Sequence, residues 1–266
     1  MGGKSQNDGL KVEIDGGVAR LTLARPEKHN AFDDTVIAAF AAALERVANA
    51  TAVRVVIVAG EGKSFSAGAD LDWMRRMADY GEAENLADAR ALAAMLRTLN
   101  ELPKPTIARV QGAAFGGGVG LVACCDIAVA SEAAIFCLSE ARLGLTPSTI
   151  SPYVVAAMGE HNARRYFLTA ERFDGAAAER IGLVHMVTDA DRLDDAVADL
   201  VSALLQNGPA AMAECKGLIR NVARGPVDDA MIEGTAQHIA RVRASTEGKE
   251  GIRAFLEKRP PAWQSE

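Results

Sequence analysis

The sequence predicts a mixed α/β chain that ends in an all-helical part, and three observations carry that prediction. Short β-branched runs alternate with amphipathic stretches in a repeated strand–strand–helix rhythm, which suggests several turns of chain stacked on one another. Beyond Ser148 the texture changes and helices dominate. Between these regions, Val110-Gln-Gly-Ala-Ala-Phe-Gly-Gly-Gly-Val-Gly-Leu-Val-Ala-Cys-Cys-Asp126 leads from a strand through three consecutive glycines into a small-residue helix. The predicted division is an α/β core over residues 1–190 and a helical region over residues 191–266.

The elements follow in order. Residues 10–14 and 18–23 alternate as strands around Asp15-Gly-Gly17, a hairpin signal. The loop Arg25-Pro-Glu-Lys-His29 ends near Asp33 or Asp34, either of which suits an N-cap. Over residues 35–48, Ile37, Phe40, Ala41, Leu44 and Val47 recur at helical spacing. Residues 53–58 form the next strand, and the Ser66-Ala-Gly-Ala69 turn after it opens towards a helix. A further helix is expected over 85–99, ended by Leu102-Pro-Lys-Pro105. Residues 106–110 and 126–130 read as strands. Ser151-Pro152 reads as an N-cap followed by Pro at the first helical position. Asp174 to Gly182 reads as a short capped helix ending at glycine, and 183–187 as the last strand. Residues 191–205, 209–222, 228–244 and 249–258 read as four amphipathic helices.

The bulk properties exclude several functions. Hydrophobic residues make up 49% and charged residues 24% of the 266, as in a chain with a real core. A formal net charge of −6 opposes a broad electrostatic footprint for nucleic acid, RNA included. Cys124, Cys125, Cys137 and Cys215 make no disulfide framework in a chain this long. The longest apolar stretch, 119–125, is too short to span a bilayer, and the polar start carries no signal-type segment. A reduced, cytoplasmic location is the expectation, with no membrane or nucleic-acid partner. No ligand spacing for a metal occurs, and neither His29 nor His185 has a partner pattern.

Two turns carry the chemistry. Glycines remove every Cβ from a bend, and a bend that opens a helix has free N–H groups with the helix dipole favouring negative charge. The Gly116–Gly118 turn can therefore bind an anion or a developing oxyanion, or serve packing alone. The Ser66–Ala69 turn is the second of the kind, and two such turns can place one N–H each around a single carbonyl oxygen. The glycine pattern misses a dinucleotide fingerprint, because Leu121 stands where the last glycine belongs. No Gly-x-Ser-x-Gly elbow of a serine hydrolase occurs.

With these turns, Arg25-Pro-Glu-Lys-His-Asn30 and the Phe136-x-x-x-Glu140-x-x-x-Gly144-x-x-Pro147 block, the chain resembles the crotonase (enoyl-CoA hydratase/isomerase) superfamily. The resemblance runs from about residue 12 to residue 258. It implies a spiral of strand–strand–helix turns, with the C-terminal helices building a trimer that is commonly doubled to a hexamer. It also implies an acyl-CoA thioester substrate, coenzyme A being part of that substrate and no separate cofactor being needed. By resemblance, the N–H groups of Ala69 and Gly117 form an oxyanion hole for the thioester carbonyl. The Ala67 carbonyl meets the adenine, and Arg25, Lys28 and Lys258 lie near the coenzyme A phosphates or entrance. Gly116, Gly120, Trp73 and Arg142 are the expected substrate contacts. Glu140 is the expected acid/base, its carboxyl pKa raised in an apolar pocket.

One departure stands out. Many hydratases of the family carry a second Glu on the helix after the triple glycine, where this chain has Gly120. Three accounts remain: Glu140 acts as both base and acid, the substrate supplies a carboxylate, or the chemistry is single-base isomerisation. The stretches 68–74, 116–123, 150–154 and 164–169 look like bacterial methylglutaconyl-CoA hydratases and the related isohexenylglutaconyl-CoA hydratases of leucine and acyclic-terpene breakdown. Those substrates carry a second carboxylate, for which Arg142 is a candidate partner. The expected activity is hydration of the 2,3 double bond of such an enoyl-CoA thioester, with double-bond isomerisation as the alternative.

Overall fold

The computed structural model describes residues 6–7, 9–223 and 225–264. In chain order the strands are β1 (Gln6–Asn7), β2 (Leu10–Asp15), β3 (Val18–Leu23), β4 (Val55–Gly60), β5 (Ser64–Ser66), β6 (Thr106–Val110), β7 (Ala113–Phe115), β8 (Ile127–Ser131), β9 (Ile135–Cys137), β10 (Arg172–Asp174) and β11 (Met186–Thr188). The helices are α1 (Asp34–Asn49), α2 (Leu71–Ala78), α3 (Glu82–Glu101), α4 (Gly117–Cys124), α5 (Ser151–Thr169), α6 (Gly175–Arg180), α7 (Leu193–Leu205), α8 (Pro209–Val222), α9 (Asp229–Ala244) and α10 (Thr246–Glu257).

The strands form two sheets, ordered β1-β2-β3-β4-β6-β8-β11 and β10-β9-β7-β5. β2 and β3 pair as an antiparallel hairpin, and from β3 to β11 the large sheet is parallel. The small sheet is parallel through β5, β7 and β9, with β10 antiparallel at its edge. Each coil of the chain lays one strand in the large sheet and the next in the small one: β4 then β5, β6 then β7, β8 then β9. A helix returns the chain after each pair, which is the spiral expected from the sequence. At the corner between β6 and β7, a Cβ on Gly112 would lie 1.9 Å from the Lys63 carbonyl oxygen, so only glycine lets successive coils meet there.

Burial explains the composition of the strands. In β3 the residues alternate, with Ala19, Leu21 and Leu23 facing the main core, whereas Val55 to Ala59 of β4 are buried on both faces. The main core gathers Leu21, Phe40, Leu44, Val58, Leu96 and Leu99 between the large sheet, α1 and α3. Truncating a side chain such as Phe40 to Ala costs about 3–5 kcal/mol in a core of this kind. A second core lies on the other face of the large sheet, where Leu193 and Val197 of α7 cover Val55, Ile57, Ile107 and Val129.

Several local expectations shift. Asp33, not Asp34, caps α1, accepting from Val36 N. The fourth strand runs 55–60 rather than 53–58, and α3 extends beyond the expected 85–99 at both ends. Ser151 is the first residue of α5 and Pro152 the second, with Ile150 at the cap. The Ser151 hydroxyl donates to Ser148 O at 2.8 Å instead of accepting a helical N–H.

A buried cation helps tie the C-terminal helices to the spiral. Lys216 of α8, 10% exposed, donates to Asp126 at 2.6 Å and to Lys104 O at 3.0 Å. Asp126 in turn accepts from the amide and hydroxyl of Thr106, at the start of β6. Away from this clip the helices leave large apolar side chains in the open, with Phe255 84% and Leu256 73% exposed and Ile219, Ile232 and Ile252 exposed too. The four cysteines are free, and three of them are buried. Among the described residues no helix is long and apolar enough to cross a membrane.

Candidate active site

The first turn follows β5. Ser66 Oγ donates to Asn30 O at 2.9 Å, and Ala67 N donates to His29 O at 2.9 Å. Phe32 then brackets Ala69 as a short parallel bridge: Phe32 N donates to Gly68 O at 2.8 Å and Asp70 N to Phe32 O at 3.0 Å. The amides on either side of Ala69 are thus fixed, while the Ala69 N–H has no hydrogen-bond partner among the described residues. Asp70 closes the turn as the N-cap of α2, with Oδ1 accepting from the N–H of Asp72 and Trp73.

The second turn follows β7. Gly116, at φ 50° and ψ −118°, caps α4 and donates its N–H to Cys137 O at 2.8 Å. Gly117 begins the helix, and its N–H also has no partner among the described residues. The two turns touch, since a Cβ on Gly68 would lie 2.8 Å from Phe115 O and 3.5 Å from Gly117 N. A Cβ on Gly117 would lie 2.4 Å from Phe32 Cζ, so the residue that brackets Ala69 also packs against the second turn.

Glu140 joins them from the next coil. It opens a short 3₁₀ turn, Glu140–Leu143, after β9, and that turn ends at Gly144 in the left-handed region. Its Oε1 lies 3.1 Å from the position a Cβ on Gly116 would take, and its Oε2 is buried with no hydrogen-bond partner among the described residues. Burial pushes the carboxyl pKa above its ordinary value, and the residue's own backbone N–H only partly offsets this. A carboxyl group with an unused oxygen, at the Gly116 turn that opens α4, can move a proton at a substrate whose carbonyl backbone N–H groups of the site hold.

Gly120, one turn into α4, faces no carboxylate. A Cβ there would lie 2.2 Å from Ile150 Cγ2 and 2.8 Å from Ile150 Cβ, so the space of a longer side chain is already filled. The other expected contacts are distributed differently. Arg142 is exposed, two residues past Glu140, and has no carboxylate partner among the described residues. Trp73 is 4% exposed in the main core, its indole N–H donating to Asp88 at 2.9 Å. Ala67 is half-buried, and Lys258 is exposed at the left-handed C-cap of α10. Arg25 and Lys28 both reach Asp70 Oδ2, at 2.9 and 2.8 Å, and so are engaged with protein carboxylates.

A groove of 870 Å³ is lined by Lys11, Arg20, Thr22, Arg109 and Gln111 on the face of the large sheet away from the main core, and none of the site residues lines it. Orphaned polar groups, not volume, mark the site. Among the described residues no His, Cys, Asp and Glu cluster is able to hold a metal. His185 accepts from Ala128 N through Nδ1 at 3.1 Å, a structural use of the ring.

The enoyl-CoA hydratase/isomerase family model matches residues 13–266. The chain belongs to that family. A crystal structure of an enoyl-CoA hydratase from Shewanella pealeana superposes with a TM-score of 0.95 at 47% identity, covering 97% of each chain. Enoyl-CoA hydratase ACTT6 of Alternaria alternata is 33% identical over 259 residues, which is 95% of this chain and 83% of the relative. Mevalonyl-coenzyme A hydratase sidH of Aspergillus fumigatus is 34% identical over 246 residues, 92% of this chain and 90% of the relative. As a member of the enoyl-CoA hydratase/isomerase family, the chain has a site whose geometry depends on two residues that sequence reasoning did not single out. Phe32 couples the two turns, and Ile150 fills the space beside Gly120. Phe32 had no signal and Ile150 entered only as the start of the 150–154 stretch, because each acts across the fold from an otherwise ordinary apolar position.

Proposed function

We propose that the protein hydrates the 2,3 double bond of an enoyl-CoA thioester, with a 3-methylglutaconyl-type acyl group as the favoured substrate. In this reading the N–H groups of Ala69 and Gly117 hold the thioester oxygen. Each such donor is worth roughly 3 kcal/mol of barrier as negative charge develops. The Glu140 carboxylate takes a proton from water, the hydroxyl adds at C3, and the resulting enolate is held by the two N–H groups. The proton then passes from Glu140 to C2, so no net proton is lost and one carboxyl group serves as base and acid.

The observation that carries the proposal is the buried, unpartnered Oε2 of Glu140 beside Gly116. The Ile150 side chain against Gly120 supports a single protein carboxylate, which leaves a carboxylate on the substrate to help position water. The exposed Arg142 supports such a substrate, because a guanidinium without a carboxylate partner suits one bidentately. The hydratase names of the relatives favour water addition. The same single carboxylate favours a second reading, double-bond isomerisation, in which Glu140 shuttles a proton between two carbons of the acyl chain. The exposed apolar residues of α8 to α10 support a homotrimer or its doubled form.

Turnover of 3-methylglutaconyl-CoA beside crotonyl-CoA, with and without Glu140→Gln, tests the reading. Preference for the glutaconyl thioester, with a loss of about 10²–10⁴ in kcat in the variant, is the expected result. Deuterium incorporation from solvent without net water addition points to the isomerase instead, and normal turnover by Glu140→Gln removes Glu140 from either mechanism.

A further inference from the structure

We infer that Arg25 is a positioning residue for the Ala69 N–H and not a ligand for coenzyme A phosphates. The inference rests on the reading of Ala69 as an oxyanion donor. The Arg25 guanidinium is 16% exposed and lies between the caps of two helices. Its Nη1 donates to Asp33 Oδ2 at 2.9 Å and to Ala31 O at 3.2 Å, and its Nη2 donates to Asp70 Oδ2 at 2.9 Å. Asp33 caps α1 through its other oxygen, and Asp70 caps α2 through its own. One planar cation therefore joins the two caps, which suits arginine and not lysine.

What lies between those caps decides the role. Phe32, adjacent to Asp33, supplies the bridge that brackets Ala69, and its ring packs against Gly117. Arg25 sets the spacing from Asp33 to Asp70, and that spacing sets where the Ala69 amide stands relative to Gly117. The arginine is not free to leave. Its stem is crowded by Gly9, where a Cβ would lie 2.6 Å from Arg25 Cδ, and its backbone N–H donates to Asn30 Oδ1 at 2.9 Å. Charge argues the same way. Arg25, Lys28 and Arg75 face Asp33, Asp70 and Asp72, three cations against three carboxylates, so the cluster is formally neutral and has no surplus for a phosphate. Lys28, 39% exposed, is the cation of the two on Asp70 that can turn towards solvent.

The experiment compares an enoyl-CoA with the same acyl group on pantetheine, which has no phosphate, using wild type, Arg25→Lys, Arg25→Ala and Lys28→Ala. Rates are taken per folded molecule, with melting temperature measured beside them. For a positioning residue, Arg25→Lys and Arg25→Ala lower kcat by about 10- to 100-fold on both thioesters by the same factor, with KM for the CoA substrate little changed. A rise in KM confined to the CoA thioester, with kcat intact on pantetheine, overturns the inference and makes Arg25 a phosphate ligand. Unchanged kcat with a lowered melting temperature also overturns it, leaving a purely structural ion pair. If Arg25→Ala does not fold, Arg25→Lys decides the matter. Lys28→Ala supplies the contrast of a cation lost without the bridge between caps. Glu140→Gln in the same series separates this outcome from failure of the catalytic reading, because normal turnover by that variant removes the catalytic reading whatever the Arg25 variants do.

Discussion

The two turns at the site present the same group, a free backbone N–H, yet they are held by different balances of polar contact and packing. The Ala69 turn is fixed by polar contacts: a parallel bridge to Phe32, a capping carboxylate, and two cations on that carboxylate. The Gly117 turn is fixed by contact, with Phe32 carbon atoms and Ser66 backbone lying where side chains of Gly117 and Gly118 would be. A polar clamp answers to protonation and charge, whereas a packed turn answers to volume. A backbone donor can be aimed by either physics, and here Phe32 belongs to both.

The largest break in that comparison comes from adding volume to the packed turn. Gly117→Ala sets a methyl 2.4 Å from Phe32 Cζ, forcing the ring and with it the bridge to Ala69 to move. A displacement of about 1 Å at both donors lowers kcat by about 100-fold, read from initial rates with folding followed by circular dichroism. A smaller effect is expected one turn further on. Gly120→Glu drives a side chain into Ile150 and destabilises the fold by about 1–3 kcal/mol, measured by denaturant unfolding. Ile150→Ala in the same chain relieves it.

The smallest effect sharpens the polar side of the comparison. Burial alone raises the Asp70 pKa, but the Lys28 ammonium, the N–H groups of Asp72 and Trp73, and Arg25 together bring it down to about 2, against an ordinary 3.8. A carboxyl with a lowered pKa stabilises the fold above its unfolded value, and that contribution is lost as pH falls from 3.8 towards 2. At 3% exposure for the side chain, the linked stability is about 2 kcal/mol. Asp70→Asn therefore flattens the acid limb of the melting-temperature profile between pH 4 and 2, while Gly117→Ala leaves the shape of that limb unchanged.

Much of this architecture was legible in the residues. The 3.6-residue spacing of Ile37, Phe40, Leu44 and Val47 gave α1, and the unbroken apolar run of β4 fits a strand buried on both faces. The small sheet was not legible, because β5, β7, β9 and β10 are three residues each, too short for any period to register. Those strands exist because neighbouring coils lie beside them. At the site, the glycine turns and the spacing from Glu140 to Gly144 and Pro147 were readable as motifs. The engagement of Arg25 with two helix caps was not, since Asp33 and Asp70 are 37 positions apart in the chain and meet only in the fold.

The contact between Gly120 and Ile150 also bears on how the site can be changed. Placing a carboxylate on α4 at 120 takes two substitutions, and each alone lowers stability: an acid at 120 collides with Ile150, and a smaller residue at 150 opens a cavity against a bare glycine. The pair is thus energetically coupled: a carboxylate at 120 is accommodated only when residue 150 changes with it.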